Sequence, residues 1–552
     1  MVVVTTPVPT EEPRAAERRA DPVRVLLVLV LALSLLARLV AIRHGLPHAY
    51  NADEELHYVP QATRAADGDW YSGYFENPSG FTDLVAVLYR VVFWGRDVST
   101  MLVEDPAAVF TVARLVSALL GTATVAVVYM AGRAFFDRGA GVWAAALFGF
   151  AFLPVFYSHQ ALNDVPTLLP LTVALVACVA VYERGSWADV LLAGGAVGIA
   201  AATKYLAAPM ALVVALAVVL SVVNGRTRVV AGLIRLAAAA LAYVAGLLAL
   251  NPFILVEFGK FWANVTDQSA QAATTKLGQT GSAWVGYPVT LLWGFGVIPL
   301  VLAALGLVLA WRRDRARTLL VVSFPVILYV AMAMQGRYFG RWMLPAYPAL
   351  AVLAGYGAMR TVEAAVVLTP RLRQRTALAL VATVALAQPV IDVVRSDLLL
   401  TRTDTRAAAL TWILDQVPAG DRIVVEPAVP GSYRRELRDA GLELYPVSRP
   451  FQAYERTLDP GLVEDYRTQG FCWVMVNGHQ HDRGIAAGLA GAQAYYQELA
   501  SDSELVFRAS PFATDKTSVD FSYDFSFNYY PPAHRRPGPV IELRRLRACS
   551  TE

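Results

Sequence analysis

The chain has 552 residues, of which 56% are hydrophobic and 16% charged, whereas about 25% of the residues of a typical soluble protein are charged. The apolar residues form long runs between Val23 and about Arg395, which excludes a wholly soluble protein. A formal net charge of +3 is too small to indicate a nucleic-acid partner.

In chain order, the apolar runs predict about eleven membrane-spanning helices, because a span needs about 20 mostly apolar residues. The fifth run is short enough to predict a half-helix. The sequence therefore predicts a polytopic α-helical membrane protein. The runs lie at about 23–43, 106–132, 139–157, 165–183, 189–203, 206–223, 229–250, 288–311, 318–334, 343–362 and 377–395.

Arginines between these runs predict the orientation of the chain in a cell membrane. If the N-terminus is cytoplasmic, every short inside loop carries arginine, as the positive-inside rule requires. An odd number of spans then places the C-terminus outside the cytoplasm. The inside arginines are Arg133, Arg138, Arg184, Arg226, Arg228, those within 312–317 and those within 371–375.

Three parts are predicted: a cytoplasmic tail at 1–22, a transmembrane domain at 23–396 with a long outer loop at 44–105, and an extracytoplasmic domain at 397–552. In the last part, strands alternate with helices, which indicates a small α/β domain. The strands are predicted at 422–425, 472–476, 505–507 and 540–543, and the helices at 406–417 and 485–499.

The chain has three cysteines, too few for a disulfide framework or a metal site. Cys178 lies within an apolar run. Cys472 and Cys549 are either a disulfide in an oxidising compartment or two free thiols, and the sequence leaves both alternatives open.

The first outer loop contains, near its start, the acidic run Asp53-Glu54-Glu55. One interpretation is a capping box, in which Asn51 is the N-cap and Glu54 lies three residues later. The other is chemical, because a carboxylate at the outer membrane face can act as a general base. On a helix, Asp53 and His57 share a face.

A second outer loop, Ser158 to Asp164, contains three polar residues at membrane depth, namely His159, Asn163 and Asp164. A helix start with Pro166 in its first turn explains Asp164 alone. Ionisable groups at this depth are costly to bury and are usually functional.

Lys204, Arg337 and Arg341 are cations on the outer side, where the positive-inside rule does not favour them. A lysine at a helix end that reaches toward water explains Lys204. An anionic ligand on this side explains all three cations. Only four lysines occur in the chain: Lys204, Lys260, Lys276 and Lys516.

These residues belong to a series of short motifs that resembles the polytopic GT-C glycosyltransferases of the protein O-mannosyltransferase and aminoarabinose-transferase type. The resemblance covers about residues 20 to 360. The motifs, in order, are Asp53-Glu54 with His57-Tyr58, Gly68-Asp69 with Asn77-Pro78, the run 114–121, the run 129–133, Asn163-Asp164-Val165-Pro166, Thr203-Lys204-Tyr205 and the run 341–348.

The resemblance implies a GT-C transmembrane domain and a sugar donor carried on a polyprenyl phosphate. It implies that Asp53 is the catalytic carboxylate, with Glu54 and Asp164 nearby in the cavity, and we expect all three to belong to the catalytic group. We expect Lys204, Arg337 and Arg341 to bind the donor phosphate. The other residues expected in the cavity are His57, Tyr58, His159, Asn163 and Tyr205. No metal-ligand set is evident, and the resemblance leaves open whether a divalent metal is needed.

The predicted activity is therefore transfer of a hexose or pentose to an acceptor at the outer face, by single displacement with a carboxylate base and inversion of the anomeric centre. The acceptor, a cell-envelope glycan, lipid or protein, stays open, because the C-terminal domain departs from the mannosyltransferases. We expect that domain to shape the acceptor entrance and to contain no catalytic group.

Two alternatives belong to other classes. One is a transporter or lipid flippase with an accessory outer domain; such proteins usually show two related halves, which this sequence lacks. The other is a catalytically idle scaffold whose outer domain binds cell-wall glycans.

Overall fold

A computed structural model of the chain describes residues 21–447, 453–514, 517–524 and 529–549. Nearly all of the predicted cytoplasmic tail, residues 1–20, lies outside this part. Residues 21–400 are mostly helical, with α1–α18, a π-helical turn at Glu54–Tyr58 and 3-10 turns at Tyr205–Ala207 and Gly340–Ala346. The helices are α1 (Pro22–Leu39), α2 (Val59–Ala66), α3 (Gly80–Val92), α4 (Val98–Glu104), α5 (Pro106–Phe135), α6 (Arg138–Gly149), α7 (Phe152–Tyr157), α8 (Leu168–Glu183), α9 (Trp187–Thr203), α10 (Met210–Val223), α11 (Val229–Leu250), α12 (Phe253–Val256), α13 (Phe258–Ala273), α14 (Ala283–Gly294), α15 (Val297–Arg313), α16 (Arg315–Ala333), α17 (Tyr347–Leu368) and α18 (Gln374–Leu400).

Within the described residues, seven helical stretches are long and apolar enough to cross a membrane, or eight if α14 and α15 count as one span. Helices α8 and α9 are also apolar but shorter. The chain is thus a multi-pass membrane protein, as predicted, and the number of eleven spans stays a prediction. The seven stretches are Pro22–Leu39, Pro106–Phe135, Tyr205–Val223, Val229–Leu250, Arg315–Ala333, Gly340–Leu368 and Gln374–Gln416.

Two predicted spans are interrupted. The predicted helix at 288–311 is α14 and α15, which meet at an angle of 107°, and the predicted helix at 139–157 is α6 and α7. Proline explains both interruptions, because it has no N–H for the carbonyl four residues earlier and its ring collides with that turn. Pro299 and Pro154 lie in the first turns of α15 and α7, just after the interruptions.

The helix backbones approach very closely where α15 packs on α17. A Cβ atom added to Gly306 would lie 2.0 Å from the carbonyl oxygen of Leu353, and one added to Gly357 would lie 2.0 Å from that of Leu302. Small residues that let backbones touch are typical of helix pairs in membranes. This contact helps to fix α17, whose N-terminal end continues from the 3-10 turn at Gly340–Ala346.

The C-terminal part forms one five-stranded sheet with strand order β2-β1-β3-β5-β4. β1 is parallel to β2 and β3, and β5 is antiparallel to β3 and β4. The predicted α/β architecture is therefore confirmed. The elements are α19 (Thr405–Gln416), β1 (Arg422–Val425), α20 (Gly431–Asp439), β2 (Glu443–Leu444), α21 (Gly461–Thr468), β3 (Trp473–Asn477), α22 (Gly478–Ala486), α23 (Ala490–Ser501), β4 (Ser503–Ala509) and β5 (Ile541–Leu546).

The single helix predicted at 485–499 is wrong in detail, because the chain forms α22 and α23 there. The two helices are separated near Gly488, whose φ of 65° favours glycine and does not fit a right-handed helix.

Cys472 and Cys549 form a disulfide that closes a loop spanning 77 positions in the sequence. It joins the residue before β3 to the segment after β5. The structure thus decides between the two alternatives that the sequence left open. Disulfides persist in oxidising compartments, which agrees with the predicted location of this domain outside the cytoplasm.

The sheet domain is attached to the first outer loop by polar contacts. The backbone N–H of Gly431 donates to Glu55 Oε1 at 2.9 Å. His48 Nδ1 lies 2.9 Å from Ser432 Oγ, and the guanidinium of Arg406 lies 3.8 Å from the ring centroid of Tyr50. These contacts hold the C-terminal domain against the part of the first outer loop that contains Asp53.

We expect a cysteine introduced at Asp459, an exposed position of the C-terminal domain, to react with a membrane-impermeant maleimide on intact cells. The arginine distribution predicts that this domain lies outside the cytoplasm. Background labelling should be low because Cys178 is buried and the other two cysteines are paired.

The matched control is Asn224→Cys, which is exposed between α10 and α11 on the predicted inner side. It should react only after lysis. The reverse labelling pattern at the two positions would invert the proposed orientation.

Candidate active site

The first outer loop turns into a π-helical turn directly after Asp53. The side-chain oxygen of Asn51 accepts the backbone N–H groups of Asp53, at 3.0 Å, and Glu54, at 3.4 Å. Asn51 therefore caps this turn, as the capping interpretation requires. The box is not completed, because the side chain of Glu54 turns to Arg114 instead.

Glu54 is fully buried in a two-pronged ion pair with Arg114 of α5. Its oxygens accept Arg114 Nε at 2.8 Å and Nη2 at 2.9 Å, and Oε1 also accepts the backbone N–H of Ala161 at 2.6 Å. Arg114 Nη1 donates to the carbonyl oxygens of Ile42 and His44. This ion pair joins four segments of the chain and fixes the position of the neighbouring Asp53.

Asp53 points the other way, toward Arg341. Arg341 Nη2 donates to Asp53 Oδ2 at 2.7 Å, and the two side chains are 19% and 37% exposed, respectively. Burial by itself raises the pKa of Asp53. The charge and the hydrogen bond of Arg341, together with the charges of His57 and Lys276, lower this pKa by more than burial raises it. The net pKa lies below the usual value, so the carboxylate is ionised at neutral pH. Arg341 thus offsets the effect of burial on this carboxyl group.

Arg341 lies in the 3-10 turn that begins at Gly340, and a residue of the C-terminal domain holds the start of this turn. The backbone N–H of Gly340 donates to both carboxylate oxygens of Asp524, at 3.1 Å each. Burial raises the pKa of Asp524 to about 6, against the opposing effects of Gly340 and Arg341. A Cβ atom at Gly340 would lie 2.7 Å from Thr290 Cγ2, so only glycine fits this contact.

Lys204 and Asp164 form a second buried ion pair. The charges of Arg341 and Asp53 act on Lys204, which shows that the two ion pairs are neighbours. Next to Asp164, Asn163 Nδ2 donates to the carbonyl oxygen of Thr203 at 2.8 Å. The second outer loop is thereby joined to the end of α9, in the order that the motifs suggested.

Lys276 lies between α13 and α14, in a third outer loop, and was not identified as a site residue from the sequence. Its ammonium lies 5.1 Å from the ring centroid of Phe339 and 4.4 Å from that of Tyr523. Burial lowers its pKa to about 8; Asp53 opposes the decrease, and nearby arginines add to it. The signal available in the sequence was its rarity, as one of four lysines, together with its place in an outer loop.

Asp53, Arg341 and Lys276 line one cavity of about 340 Å³ between the first outer loop and the C-terminal domain. Four cationic side chains line it against two carboxylates, those of Asp53 and Glu55, so the cavity suits an anionic ligand. Its other walls include Phe339, Arg406, Pro430, Arg434, His479 and Tyr523.

The remaining predicted residues lie outside the lining of this cavity. His57 stacks on Tyr74 at 5.2 Å, Tyr58 packs edge-on against Phe81, and Tyr205 packs edge-on against Phe261.

His159 and Arg337 also lie off the cavity lining. The ring nitrogens of His159 lie 3.0 Å and 2.8 Å from the carbonyl oxygens of Val155 and Val40. The backbone N–H of Arg337 donates to the carbonyl oxygen of Ala272 at 2.9 Å. Across the described ranges, no three His, Cys, Asp or Glu side chains are grouped closely enough to hold a metal ion.

The chain is similar to known proteins in two ways. A family model for dolichyl-phosphate-mannose-protein mannosyltransferases matches residues 91–254. No curated protein sequence matches the chain significantly. Among solved structures, the apo oligosaccharyltransferase of Archaeoglobus fulgidus aligns over 91% of this chain and 75% of that one, with 12% identity and a TM-score of 0.54.

Two other structures are similar. AglB of Archaeoglobus fulgidus, in complex with an inhibitory peptide and a dolichol-phosphate, aligns over 88% of this chain and 73% of that one, with 12% identity and a TM-score of 0.51. ArnT of Cupriavidus metallidurans, bound to undecaprenyl phosphate, aligns over 94% and 97%, with 17% identity and a TM-score of 0.47. The oligosaccharyltransferase alignments show that the chain has the GT-C fold, which confirms the resemblance found in the sequence.

We expect Glu54→Gln to destabilise the protein, because it leaves the buried guanidinium of Arg114 without a counter-charge. Removing one partner of a buried ion pair costs about 3–5 kcal/mol. The loss should appear as a lower melting temperature of the purified protein in detergent.

Glu55→Gln is the control, since among the residues that the structure describes Glu55 accepts only the N–H of Gly431, and the glutamine oxygen can accept it too. A Glu54→Gln protein with wild-type stability and no turnover would instead support the predicted catalytic role of Glu54.

Proposed function

We propose that this protein is a membrane glycosyltransferase that moves a sugar from a polyprenyl-phosphate donor to an acceptor hydroxyl at the outer face of the membrane. The observation that carries the proposal is the ionised Asp53 carboxylate, held by Arg341 in a cavity that Lys276 also lines. A base and two cations are the groups that this reaction needs. The GT-C fold and the mannosyltransferase family match support the same activity.

In the proposed reaction, the donor phosphate binds to the cations around the cavity. Arg341 Nε has no hydrogen-bond partner among the described residues, so it is available to a phosphate oxygen. Lys276 faces the same cavity, and Lys204 lies behind Arg341 in its ion pair with Asp164. These cations stabilise the phosphate as it leaves with the bonding electrons of the C1–O bond. Arg337, whose buried Nε is also unpartnered there, is the more distant candidate.

Asp53 is the proposed general base. The departing phosphate needs no proton, so one carboxylate suffices where a glycosidase uses two. Asp53 takes the proton of the acceptor hydroxyl as its oxygen attacks C1 of the sugar, and direct displacement inverts the anomeric centre. Arg341 keeps the carboxylate ionised, which favours proton acceptance over proton donation.

The acidic neighbours receive supporting roles in this proposal. Asp164 holds the ammonium of Lys204, and Glu54 fixes the loop from which Asp53 projects. Asp524 is a positioning residue, because it contacts the backbone before Arg341 and not the cavity.

The C-terminal domain forms one side of the cavity through Pro430, Arg434 and His479. A polar acceptor that approaches from outside would pass this wall before it meets Asp53. We therefore propose that the domain shapes the acceptor entrance, for a cell-envelope glycan, lipid or protein. Asp524 of this domain also accepts the backbone N–H of Gly340 and so positions Arg341. The domain should therefore affect donor binding as well.

We expect Asp53→Asn to lower turnover of a polyprenyl-phosphate sugar by about a hundredfold or more, because it removes the base. Donor binding should persist, since asparagine keeps the size of the side chain and an oxygen that can accept the hydrogen bond of Arg341. The measurements are transfer of a radiolabelled sugar and donor affinity of the same preparation.

Glu55→Gln is the matched control, from the same turn, and should keep nearly full activity. A fully active Asp53→Asn enzyme would refute the mechanism, and a wild-type enzyme without turnover on a panel of polyprenyl-phosphate sugars would refute the proposed function.

We expect the affinity for undecaprenyl phosphate to fall as the pH rises above about 8. Lys276 is protonated below its pKa of about 8, and loss of the proton removes one phosphate-binding cation. The phosphate itself favours the protonated form, so the midpoint in the complex should lie above 8. The measurement is the affinity for undecaprenyl phosphate from about pH 6.5 to about pH 9.5, a range that lies on both sides of the pKa of Lys276.

Two variants test the assignment of this pH dependence. Lys276→Arg should remove the decrease, because arginine stays charged. Lys276→Gln should bind about tenfold more weakly at low pH and show no inflection. An unchanged inflection in Lys276→Gln would exclude Lys276 from the phosphate site.

A further inference from the structure

A separate groove lies on the outer end of α18, away from the cavity of Asp53. It has a volume of about 460 Å³ and is lined by α18 and the segment around 532–535. It shares no lining residue with the cavity next to Asp53. The residues that line it are Val390, Ile391, Val394, Arg395, Leu398, Leu399, Arg402, Pro532, His534 and Arg535.

The floor of the groove is apolar and faces outward. Ile391, Val394 and Leu398 are 63%, 50% and 58% exposed. They belong to a stretch that is long and apolar enough to cross a membrane, and their spacing of three and four residues puts them on one face of α18. This face is therefore expected to contact lipid tails.

The rim of the groove carries three arginines. Arg395 lies near the end of α18, Arg402 follows two residues after that helix ends at Leu400, and Arg535 of the C-terminal domain lines the same groove. Arg395 donates to the carbonyl oxygens of Tyr530 and Pro531. Arg402 donates to the carbonyl oxygen of Arg535. These bonds attach the segment 530–535 to the end of α18, but they neutralise no charge, because carbonyl oxygens are uncharged.

No carboxylate in the described ranges lies within salt-bridge distance of these three guanidinium groups. Two acidic residues of α18 lie near the rim. Asp392, one turn before Arg395, interacts with its charge, whereas Asp397 is buried beside Arg38 and His159. One nearby carboxylate leaves a rim of three arginines positive. The side chain of Arg535 is exposed and donates no hydrogen bond to a described residue.

A lone arginine at a helix end reaches water and needs no ligand. Three that converge above one apolar groove combine the two features that bind an anionic lipid: cations at headgroup level and an apolar surface for the tails. We propose that this groove binds one anionic phospholipid of the leaflet next to the C-terminal domain. Its phosphate contacts Arg395, Arg402 and Arg535, and its tails lie along Ile391, Val394 and Leu398.

This proposal does not depend on the proposed function, because no residue of the cavity next to Asp53 takes part. The bound lipid would join α18 to the segment at 530–535, which follows Asp524 and Tyr529. The OH of Tyr529 lies 2.9 Å from that of Tyr157 in the helical core. The lipid would thereby stabilise the attachment of the C-terminal domain to the transmembrane domain.

The test uses the full-length protein in detergent with equal amounts of phosphatidylglycerol and phosphatidylcholine, and native mass spectrometry to count the lipids retained. The wild type should retain one phosphatidylglycerol in preference to phosphatidylcholine. The variant R395Q/R402Q/R535Q should lower this preference by about tenfold or more. Its charge-matched control is R435Q/R438Q/R456Q, at three arginines of the C-terminal domain that lie away from the groove, which should leave the preference unchanged.

A second variant guards against misfolding of the triple variant. Arg535→Glu reverses one exposed charge and keeps the bonds that Arg395 and Arg402 make; Arg456→Glu is its control. Arg535→Glu should weaken phosphatidylglycerol retention at an unchanged melting temperature in lipid-free detergent. Wild-type retention by both groove variants would overturn the proposal. Displacement of the phospholipid by a smaller amount of undecaprenyl phosphate would assign the groove to the polyprenyl carrier and would overturn it too.

Discussion

The buried ion pair between Glu54 and Arg114 is the contact on which the outer face of this protein depends. It ties the π-helical turn of the first outer loop to α5, to the backbone after α1 and to the second outer loop. A buried charge pair stabilises the fold only if its remaining hydrogen-bonding groups are satisfied, and here the backbone groups of Ile42, His44 and Ala161 satisfy them. Because Glu54 is fixed inward, its neighbour Asp53 projects into the cavity.

The charged groups of the candidate site come from separate parts of the chain that meet at one membrane face. The first outer loop contributes Asp53, the second contributes Asp164, and the third contributes Lys276. Arg341 comes from the turn before α17, and Asp524 from the C-terminal domain holds that turn. No single segment could bind a lipid phosphate alone, so activity should depend on how the loops and the sheet domain assemble.

The C-terminal domain has a larger structural role than its sequence indicates. Glycine at 340 allows Asp524 to approach the turn of Arg341. Tyr523 covers Lys276, and Tyr529 packs among Trp293, Phe152 and Phe156 of the helical core. The domain therefore takes part in building the site as well as in covering it, which the sequence-based expectation of a mere acceptor entrance did not include.

The sequence by itself determined the membrane character, most of the helical positions, the α/β nature of the C-terminal part and the candidacy of Asp53, Asp164, Lys204 and Arg341, because hydropathy, periodicity and short motifs are local properties. Only the tertiary structure decided which groups pair. It joined Asp53 to Arg341 across 288 positions, buried Glu54, paired Cys472 with Cys549 and added Lys276 and Asp524. Such choices depend on how distant segments pack and exclude water from particular charges, and no local pattern records that.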